Sequence, residues 1–181
     1  VSPFLLVRIH TDDGITGLGE ASCTPRWSGE DQVTAAHFIN EYFAPLLLGA
    51  SVNDVGSLYT KVRSVVAGNY FTKAAVEMAL WDLLGQARNE PVCKLISSES
   101  VLGSVPTKWS VSGVEPMQAA EIARWAVGQV FTAMKVKVGI DPDGDVKRVK
   151  AVREAIGSDV KLGVDANGGW TTPRAAIDTI H

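Results

Sequence analysis

The sequence predicts an α+β domain at residues 1–100, followed by the start of an α/β domain with a parallel sheet at residues 101–181. Two strand-like runs flank the turn signal Asp12-Asp13-Gly14, which predicts a β-hairpin. A long apolar stripe at helical spacing follows between Thr72 and Arg88. After the polar stretch Ser97–Ser100, strand-like and helix-like segments alternate, and this order is typical of a parallel sheet.

The first domain is predicted to contain the hairpin and three helices. Ser28 and Asp31 have the spacing of a capping box, so a helix is expected from Ser28 to about Leu48. A second helix is expected at residues 53–67 and a third at residues 72–88. The third helix is apolar around most of its circumference, which predicts that it is largely buried.

The second domain is predicted to contain three consecutive strand–helix units. The strands are expected at residues 107–111, 133–138 and 160–165, and the helices at residues 116–130, at residues 141–157 and from residue 172 onward. In the helix after Asp141, the apolar pattern places Val146, Val149, Val152 and Ile156 inward and Lys147, Arg148, Lys150, Arg153 and Glu154 outward. A complete (β/α)8 barrel takes about 250 residues. The segment is therefore either a small open sheet or the front of a longer barrel.

Composition excludes several classes of function. The 181 residues carry a formal net charge of −3 with mixed charges, so we expect no nucleic-acid partner. No apolar run approaches the roughly 18 residues of a membrane span, so we expect no membrane partner. The two cysteines lie far apart, and because the first residues lack a charged n-region we expect no secretory signal. Together these features favour a cytoplasmic location.

Lys135 and Lys137 are the first candidate site residues. They alternate with Met134, Val136 and Val138 along one predicted strand, so both lysines share one face and the apolar residues share the other. At the carboxyl end of a barrel strand, that face would point into the mouth of the barrel. Two adjacent ammonium groups repel, so the pKa of at least one lysine is expected to fall. Such a lysine can act as a general base. The alternative is an edge strand that displays two solvated lysines.

Asp165 and Asn167 are the second pair of candidates, at the end of the next strand. A carboxylate and an amide oxygen are hard ligands that suit Mg²⁺ or Mn²⁺. The alternative is an ordinary turn built from Asp-x-Asn-Gly. If both pairs form one site, a divalent ion and a lysine base could remove the proton α to the carboxylate of a small substrate.

The chain resembles the mandelate racemase/muconate lactonizing enzyme family of the enolase superfamily, and within it the muconate lactonizing subgroup. That superfamily uses a lysine or histidine base together with one or two Mg²⁺ ions. The resemblance rests on four stretches in the family's order, which are Asp13–Ala21, Gly68–Asp82, Lys135–Gly139 and Val164–Asn167.

The resemblance implies an α+β cap domain followed by the first three βα units of a modified (β/α)7β barrel, which is TIM-like. It implies that Lys137 is the base, that Lys135 is its electrostatic partner near the substrate carboxylate, and that Asp165 is the first metal ligand. Asn167 would lie beside Asp165 and contact the substrate or support the site. The expected activity is that of an isomerase or lyase, with a muconate-like acid, a dipeptide or an N-acyl amino acid as substrate.

The resemblance also implies that parts of the family's machinery are not in these 181 residues. The family has further acidic metal ligands and an opposing lysine on later strands, and an additional cap strand before Val1. We therefore expect an inactive fragment of a longer enzyme, and we leave open a homo-oligomer of the full-length protein. Two alternatives stay open: a Schiff-base aldolase that uses one of the lysines as nucleophile, and a non-catalytic binding domain.

Overall fold

The computed structural model describes residues 4–97 and 103–180. The chain divides into two compact units, Val1–Leu102 and Gly103–His181. The predicted domain boundary at residues 100 and 101, and most of the polar stretch before it, lie outside the described residues. In the ranges that are described, no helix has both the length and the apolar character needed to cross a bilayer.

The first unit begins with the predicted hairpin. Strands β1 (Leu5–His10) and β2 (Thr16–Ala21) are antiparallel, with Leu5 opposite Ala21 and His10 opposite Thr16. Gly14 in the turn has a φ of 88°, a conformation that costs glycine nothing but strains residues with a Cβ. The helices that follow are α1 (Pro25–Ser28), α2 (Gln32–Phe38), a π-helical turn (Ile39–Phe43), α3 (Ala44–Leu47), α4 (Val55–Val65), α5 (Tyr70–Arg88) and α6 (Val92–Ile96).

The helix predicted to begin at Ser28 in fact begins after Asp31. The Asp31 side chain accepts hydrogen bonds from the backbone N–H groups of Val33 and Thr34, so Asp31 is the N-cap of α2. Ser28 instead ends the short helix α1. Two acceptors three residues apart fit a capping box in either register, and the αL conformation of Gly29 decides between them by ending α1.

Helix α5 is the centre of the first unit, as its apolar composition predicts. Strand β2 packs on it without intervening side chains, because Gly17 and Gly19 face the helix. A Cβ atom on Gly19 would lie 1.8 Å from the carbonyl oxygen of Ala75, and one on Gly17 would lie 2.2 Å from that of Ala79. The hairpin and α5 therefore meet backbone to backbone.

The second unit contains three parallel strands, β3 (Trp109–Val111), β4 (Ala133–Lys137) and β5 (Lys161–Asp165), in the order β3-β4-β5. The helices α7 (Pro116–Gly128), α8 (Pro142–Ile156) and α9 (Pro173–Ile180) follow the strands in turn. This is the alternation that the sequence predicts. Asp141 caps α8 as expected, since its side chain accepts a hydrogen bond from the N–H of Gly144.

The apolar face of β4 forms part of the core of the second unit. Met134 and Val136 are buried against residues of α7 and α8. Since side chains alternate along a strand, Lys135 and Lys137 lie on the opposite face, and both are only partly exposed. The predicted division of β4 into an apolar and a lysine face is therefore what the structure shows.

One prediction for α8 is wrong. Arg148 was expected to face outward but is 5% exposed, because it pairs with the equally buried Asp145 one turn earlier. The apolar pattern alone could not reveal this. The spacing of opposite charges at i and i+3, which brings two side chains together on a helix, was the available signal.

Candidate active site

The four predicted site residues lie at the carboxyl ends of two adjacent parallel strands. Lys135 and Lys137 come from β4, Asp165 is the last residue of β5, and Asn167 follows it. The register pairs Lys137 with Asp165. Because neighbouring residues in register point to the same side of a sheet, the lysine face of β4 and the carboxylate of β5 meet.

The structure brings the side chains into direct contact. The Nζ atoms of Lys135 and Lys137 each lie 2.8 Å from the same carboxylate oxygen, Oδ2 of Asp165. Lys137 also donates a hydrogen bond to Oδ1 of Asn167. The other carboxylate oxygen of Asp165 accepts a hydrogen bond of 2.9 Å from the backbone N–H of Asn167. One carboxylate thus joins both lysines.

The cluster is open to solvent. The side chains of Lys135, Lys137 and Asp165 are 23%, 31% and 27% exposed, respectively. Groups that only complete a core are normally enclosed, whereas these three charged groups remain accessible to a small molecule. With two ammonium groups and one carboxylate, the cluster carries a net positive charge that favours an anionic ligand.

The sequence predicts that the pKa of at least one of the two lysines falls, and for Lys135 the structure indicates the opposite. The hydrogen bond to Asp165 raises the pKa of Lys135, instead of mutual repulsion between the lysines lowering it. The same two lysines hold the pKa of Asp165 well below its ordinary range, with the backbone N–H of Asn167 as a further cause. Repulsion was expected because the sequence does not show that one carboxylate oxygen lies between both ammonium groups.

The loops after β4 and β5 fix the position of the cluster. Gly139 has a φ of 82°. A Cβ atom on Gly169 would lie 2.1 Å from the carbonyl oxygen of Gly139. The N–H of Val138 donates a 3.0 Å hydrogen bond to the carbonyl of Asp165. The two loops can pack this closely only with glycine at both positions, so these glycines help to hold the strand ends together.

The oxygen atoms of the cluster fit part of a magnesium site. Asp165 and Asn167 supply a carboxylate and an amide oxygen, the ligand types that Mg²⁺ prefers. Mg²⁺ requires six ligands in an octahedron. The described residues contain no group of three or more His, Cys, Asp or Glu side chains placed to hold a metal ion. The donor types therefore fit, and their number covers a minority of the coordination shell.

Two family models match the chain. Residues 1–97 match the model described as mandelate racemase / muconate lactonizing enzyme, N-terminal domain, which covers more than half of the chain. The chain belongs to the mandelate racemase/muconate lactonizing enzyme family. Residues 118–181 match a second model, described as enolase C-terminal domain-like. The resemblance inferred from the sequence motifs is therefore confirmed.

Relatives within this family are isomerases. The N-succinyl-L-Arg/Lys racemase of Bacillus cereus is 31% identical over 93% of this chain and 45% of its own length. The crystal structure of that racemase matches with a TM-score of 0.90 at 29% identity, covering 99% of this chain and 48% of the racemase chain. The chloromuconate cycloisomerase of Cupriavidus pinatubonensis is 32% identical over 93% of this chain and 46% of its own length.

A third relative is known in a complex with a metal ion and a ligand. The dipeptide epimerase of Cytophaga hutchinsonii, solved with Mg and the dipeptide D-Ala-L-Val, has a TM-score of 0.83 and 33% identity, over 98% of this chain and 48% of the epimerase. The present chain spans about half the length of the curated relatives it matches.

Proposed function

We propose that this chain provides part of the active site of a metal-dependent isomerase that removes the proton α to a carboxylate through an enediolate, as a cycloisomerase or an epimerase does. The observation that carries the proposal is the cluster at the strand ends, where Lys135, Lys137, Asp165 and Asn167 meet. Membership of a family whose relatives include racemases, epimerases and cycloisomerases supports it. The substrate class we propose is a small carboxylic acid, such as an N-acyl amino acid, a dipeptide or a muconate-like acid.

Lys137 is the base in this proposal, and Lys135 is its electrostatic partner. Lys137 pairs with Asp165 and Asn167 in the structure, so in this proposal it takes the substrate proton only after its contact with Asp165 is released. Lys135 keeps its charge and attracts the substrate carboxylate.

Asp165 and Asn167 would contribute two oxygen ligands to Mg²⁺ or Mn²⁺, and a divalent ion bound there would neutralise the negative charge that develops on the substrate carboxylate. We further propose that the 181 residues alone bind Mg²⁺ weakly and do not turn over substrate. One carboxylate is a small share of an octahedral site, and it already pairs with two ammonium groups. Sub-millimolar Mg²⁺ binding or turnover by the 181-residue chain would contradict this second part of the proposal.

A Schiff-base aldolase fits the structure less well. Its nucleophile would be a neutral lysine amine with a lowered pKa. Lys135 has the opposite environment, because its hydrogen bond to Asp165 raises its pKa. Reduction with borohydride in the presence of an aldehyde or ketone substrate should therefore leave no adduct on Lys135, and an adduct on Lys135 or Lys137 would support the aldolase alternative.

The test is exchange of the substrate α-proton with deuterated solvent, measured for the longest polypeptide that the gene encodes. Mg²⁺ is added, and a panel of N-acyl amino acids, dipeptides and muconate-like acids is used. Lys137→Ala should reduce the exchange rate about 10²- to 10⁴-fold, the usual contribution of a general base. Lys161→Ala is the matched control, because Lys161 is exposed at the opposite end of β5. Unchanged exchange in Lys137→Ala, or no exchange by any form of the protein, would contradict the proposal.

A further inference from the structure

A buried ion pair on α8 contacts the end of β4, the strand that carries the two lysines. Nη1 of Arg148 lies 2.7 Å from Oδ1 of Asp145, and the two side chains are 6% and 1% exposed. Both belong to α8, the helix that follows β4. A buried charged pair is weak evidence for stability, because desolvation of the two charges offsets most of their attraction. The bonds that this pair makes with the backbone indicate a different role.

Arg148 holds the carbonyl group of Lys137. Its Nη1 donates a hydrogen bond of 3.2 Å to the Lys137 carbonyl oxygen, and its Nε donates one of 2.5 Å to the carbonyl oxygen of Val114. The pairing of β4 with β3 ends at Val136. Arg148 therefore joins the end of β4 to the loop after β3 at the point where the strands themselves no longer do so.

Asp145 binds the backbone of the loop that follows Lys137 in the chain. Its Oδ2 accepts hydrogen bonds of 2.6 Å from the N–H of Gly139 and 3.1 Å from the N–H of Ile140. Val138 lies between Lys137 and Gly139 in the chain, and its N–H donates to the carbonyl of Asp165. Each residue from 137 to 140 thus has one backbone group that is hydrogen-bonded either to the ion pair or to β5.

We propose that the Asp145–Arg148 pair positions Lys137 for proton transfer. The hydrogen bonds that these two side chains make with the strand end and its loops go to backbone groups, so both would act through the backbone. The guanidinium group suits this role because its planar fork holds Nε and Nη1 at fixed, separate positions and so binds Asp145 and two carbonyl groups at once, whereas the donors of an ammonium group all lie on one atom. A misplacement of about 1 Å at a reacting group can cost about 10²-fold in rate. The inference rests on the proposed role of Lys137 as base.

Two variants test the inference. Arg148→Lys keeps the charge next to Asp145 but lacks the rigid fork that holds both carbonyl groups in place. The double variant Asp145→Asn, Arg148→Met removes both charges together, so no unpaired charge is left buried. In both variants we expect kcat for α-proton exchange to fall about 10- to 100-fold. KM should stay within about twofold, because the groups that attract the substrate are unchanged.

A second readout does not depend on activity. The ¹⁵Nζ signal of Lys137, assigned by its loss in Lys137→Ala, reports the contact of this ammonium group with Asp165 and Asn167. In both variants it should move towards the signal of the exposed Lys161. Arg153→Gln is the matched control, since Arg153 lies on the same helix but donates to the carbonyl groups of Gly157 and Val160 at its far end. That control should change neither readout.

The outcomes separate the two proposals. Absence of α-proton exchange in the unsubstituted protein would contradict the proposed function, while the Lys137 signal would still test the ion pair. Folded variants with an unchanged Lys137 signal would overturn the positioning role, and so would a fall in kcat matched by Arg153→Gln. Loss of folding in both variants would also overturn it, because the pair would then support the whole unit and not one side chain.

Discussion

Two carboxylates, one in each unit, show how the same chemical group is used in two different ways. Glu30 in the first unit is 5% exposed and accepts hydrogen bonds from the N–H of Phe71, the N–H of Thr72 and the hydroxyl of Thr72. Asp165 in the second unit is 27% exposed and pairs with two lysine side chains. Glu30 binds the first turn of a helix, whereas Asp165 binds the charged ends of two lysine side chains.

The two carboxylates also differ in whether a further ligand could bind to them. Both oxygens of Glu30 are occupied by groups at the start of α5, where free N–H groups favour a negative charge. A ligand could reach Glu30 only by opening that helix end. The partners of Asp165 are two ammonium groups that can rotate away, so a metal ion or a substrate can replace them without unfolding. The first carboxylate is therefore enclosed by its helix, whereas the second is accessible to a ligand.

The lysines of the two units follow the same contrast. Lys73, near the start of α5, is 4% exposed and donates to the carbonyl group of Val66. It ties the segment before α5 to the helix. Lys135 and Lys137 are partly exposed and have a carboxylate as their common partner. Burial and the kind of partner, and not the residue type, separate the structural lysine from the candidate catalytic ones.

The largest effect on stability is expected from Glu30→Ala. The substitution leaves three donors at the start of α5 without their acceptor in a buried position. A buried unsatisfied polar group costs about 1–3 kcal/mol, so we expect a loss of about 3 kcal/mol in the free energy of unfolding. Urea unfolding followed by far-UV circular dichroism measures it.

Glu41→Ala is the control for this prediction, because Glu41 is an exposed glutamate of the same unit. Exposed substitutions of this kind usually change stability by no more than about 0.5 kcal/mol. If Glu30→Ala were as mild as Glu41→Ala, the assignment of Glu30 as the structural carboxylate would be wrong, and the comparison with Asp165 would lose its basis.

A smaller loss in the free energy of unfolding is expected from Gly19→Ala. This substitution tests whether α5, the helix bound by Glu30, also packs tightly against the hairpin. The new Cβ atom would lie 1.8 Å from the carbonyl oxygen of Ala75, so β2 and α5 would have to separate. Overpacking of this kind costs about 1–3 kcal/mol. Gly56→Ala in α4 meets nothing closer than 3.6 Å and should stabilise the unit by about 0.5–1 kcal/mol. Equal effects of the two substitutions in urea unfolding would contradict the close packing.

Asp165→Asn should have a smaller effect on stability than either destabilising change, because exposed ion pairs contribute little. Its effect on the lysines should be clear. Without the carboxylate, Lys135 keeps a positive neighbour and loses its main hydrogen-bond partner, so its pKa should fall. Titration of the Lys135 ¹⁵Nζ signal measures this fall. A loss of stability as large as that of Glu30→Ala, with the Lys135 titration unchanged, would show that the two carboxylates have the same role.

Much of the fold could be predicted from the sequence because the spacing of apolar residues indicates which face of a strand or helix is buried. The alternation of Met134 and Val136 with the lysines predicted both faces of β4, and the apolar stripe of α5 predicted its central position. Helix ends were harder to predict. Ser28 and Asp31 are both good caps, and the choice between them depends on where the preceding turn ends.

The proximity of the four candidate site residues was also predictable, but their electrostatics were not. Strand alternation and the parallel order placed Lys137 next to Asp165, as the register shows. The pKa of Lys135 depends on which oxygen lies between which ammonium groups, and strand periodicity holds no information on that geometry. The burial of Arg148 could not be predicted for a related reason. A charged residue on a helix is normally exposed, and only its contact with Asp145 and two carbonyl groups makes burial favourable.

The smallest expected effect is on the pH dependence of stability, and its sign follows from the shifted pKa values. Asp165 has a pKa below its ordinary range. Its contribution is therefore present above about pH 3.9, the ordinary pKa of aspartate, and is lost as the pH falls through the lower folded value. Lys135 has a raised pKa. Its contribution is present below about pH 10.4 and is lost as the pH rises through the higher folded value.

The difference in urea midpoint between the unsubstituted protein and Asp165→Asn should therefore be constant between about pH 5 and pH 9 and should shrink in strong acid and in strong alkali. Titration of the ¹³C carboxyl signal of Asp165 gives the direct measurement. In a Lys135→Met, Lys137→Met double variant, the pKa of Asp165 should rise towards about 3.9, because both ammonium groups are gone. An Asp165 signal that titrates alike in both proteins would show that the lysines do not hold the carboxylate in solution. The contrast with Glu30 would then rest on exposure alone.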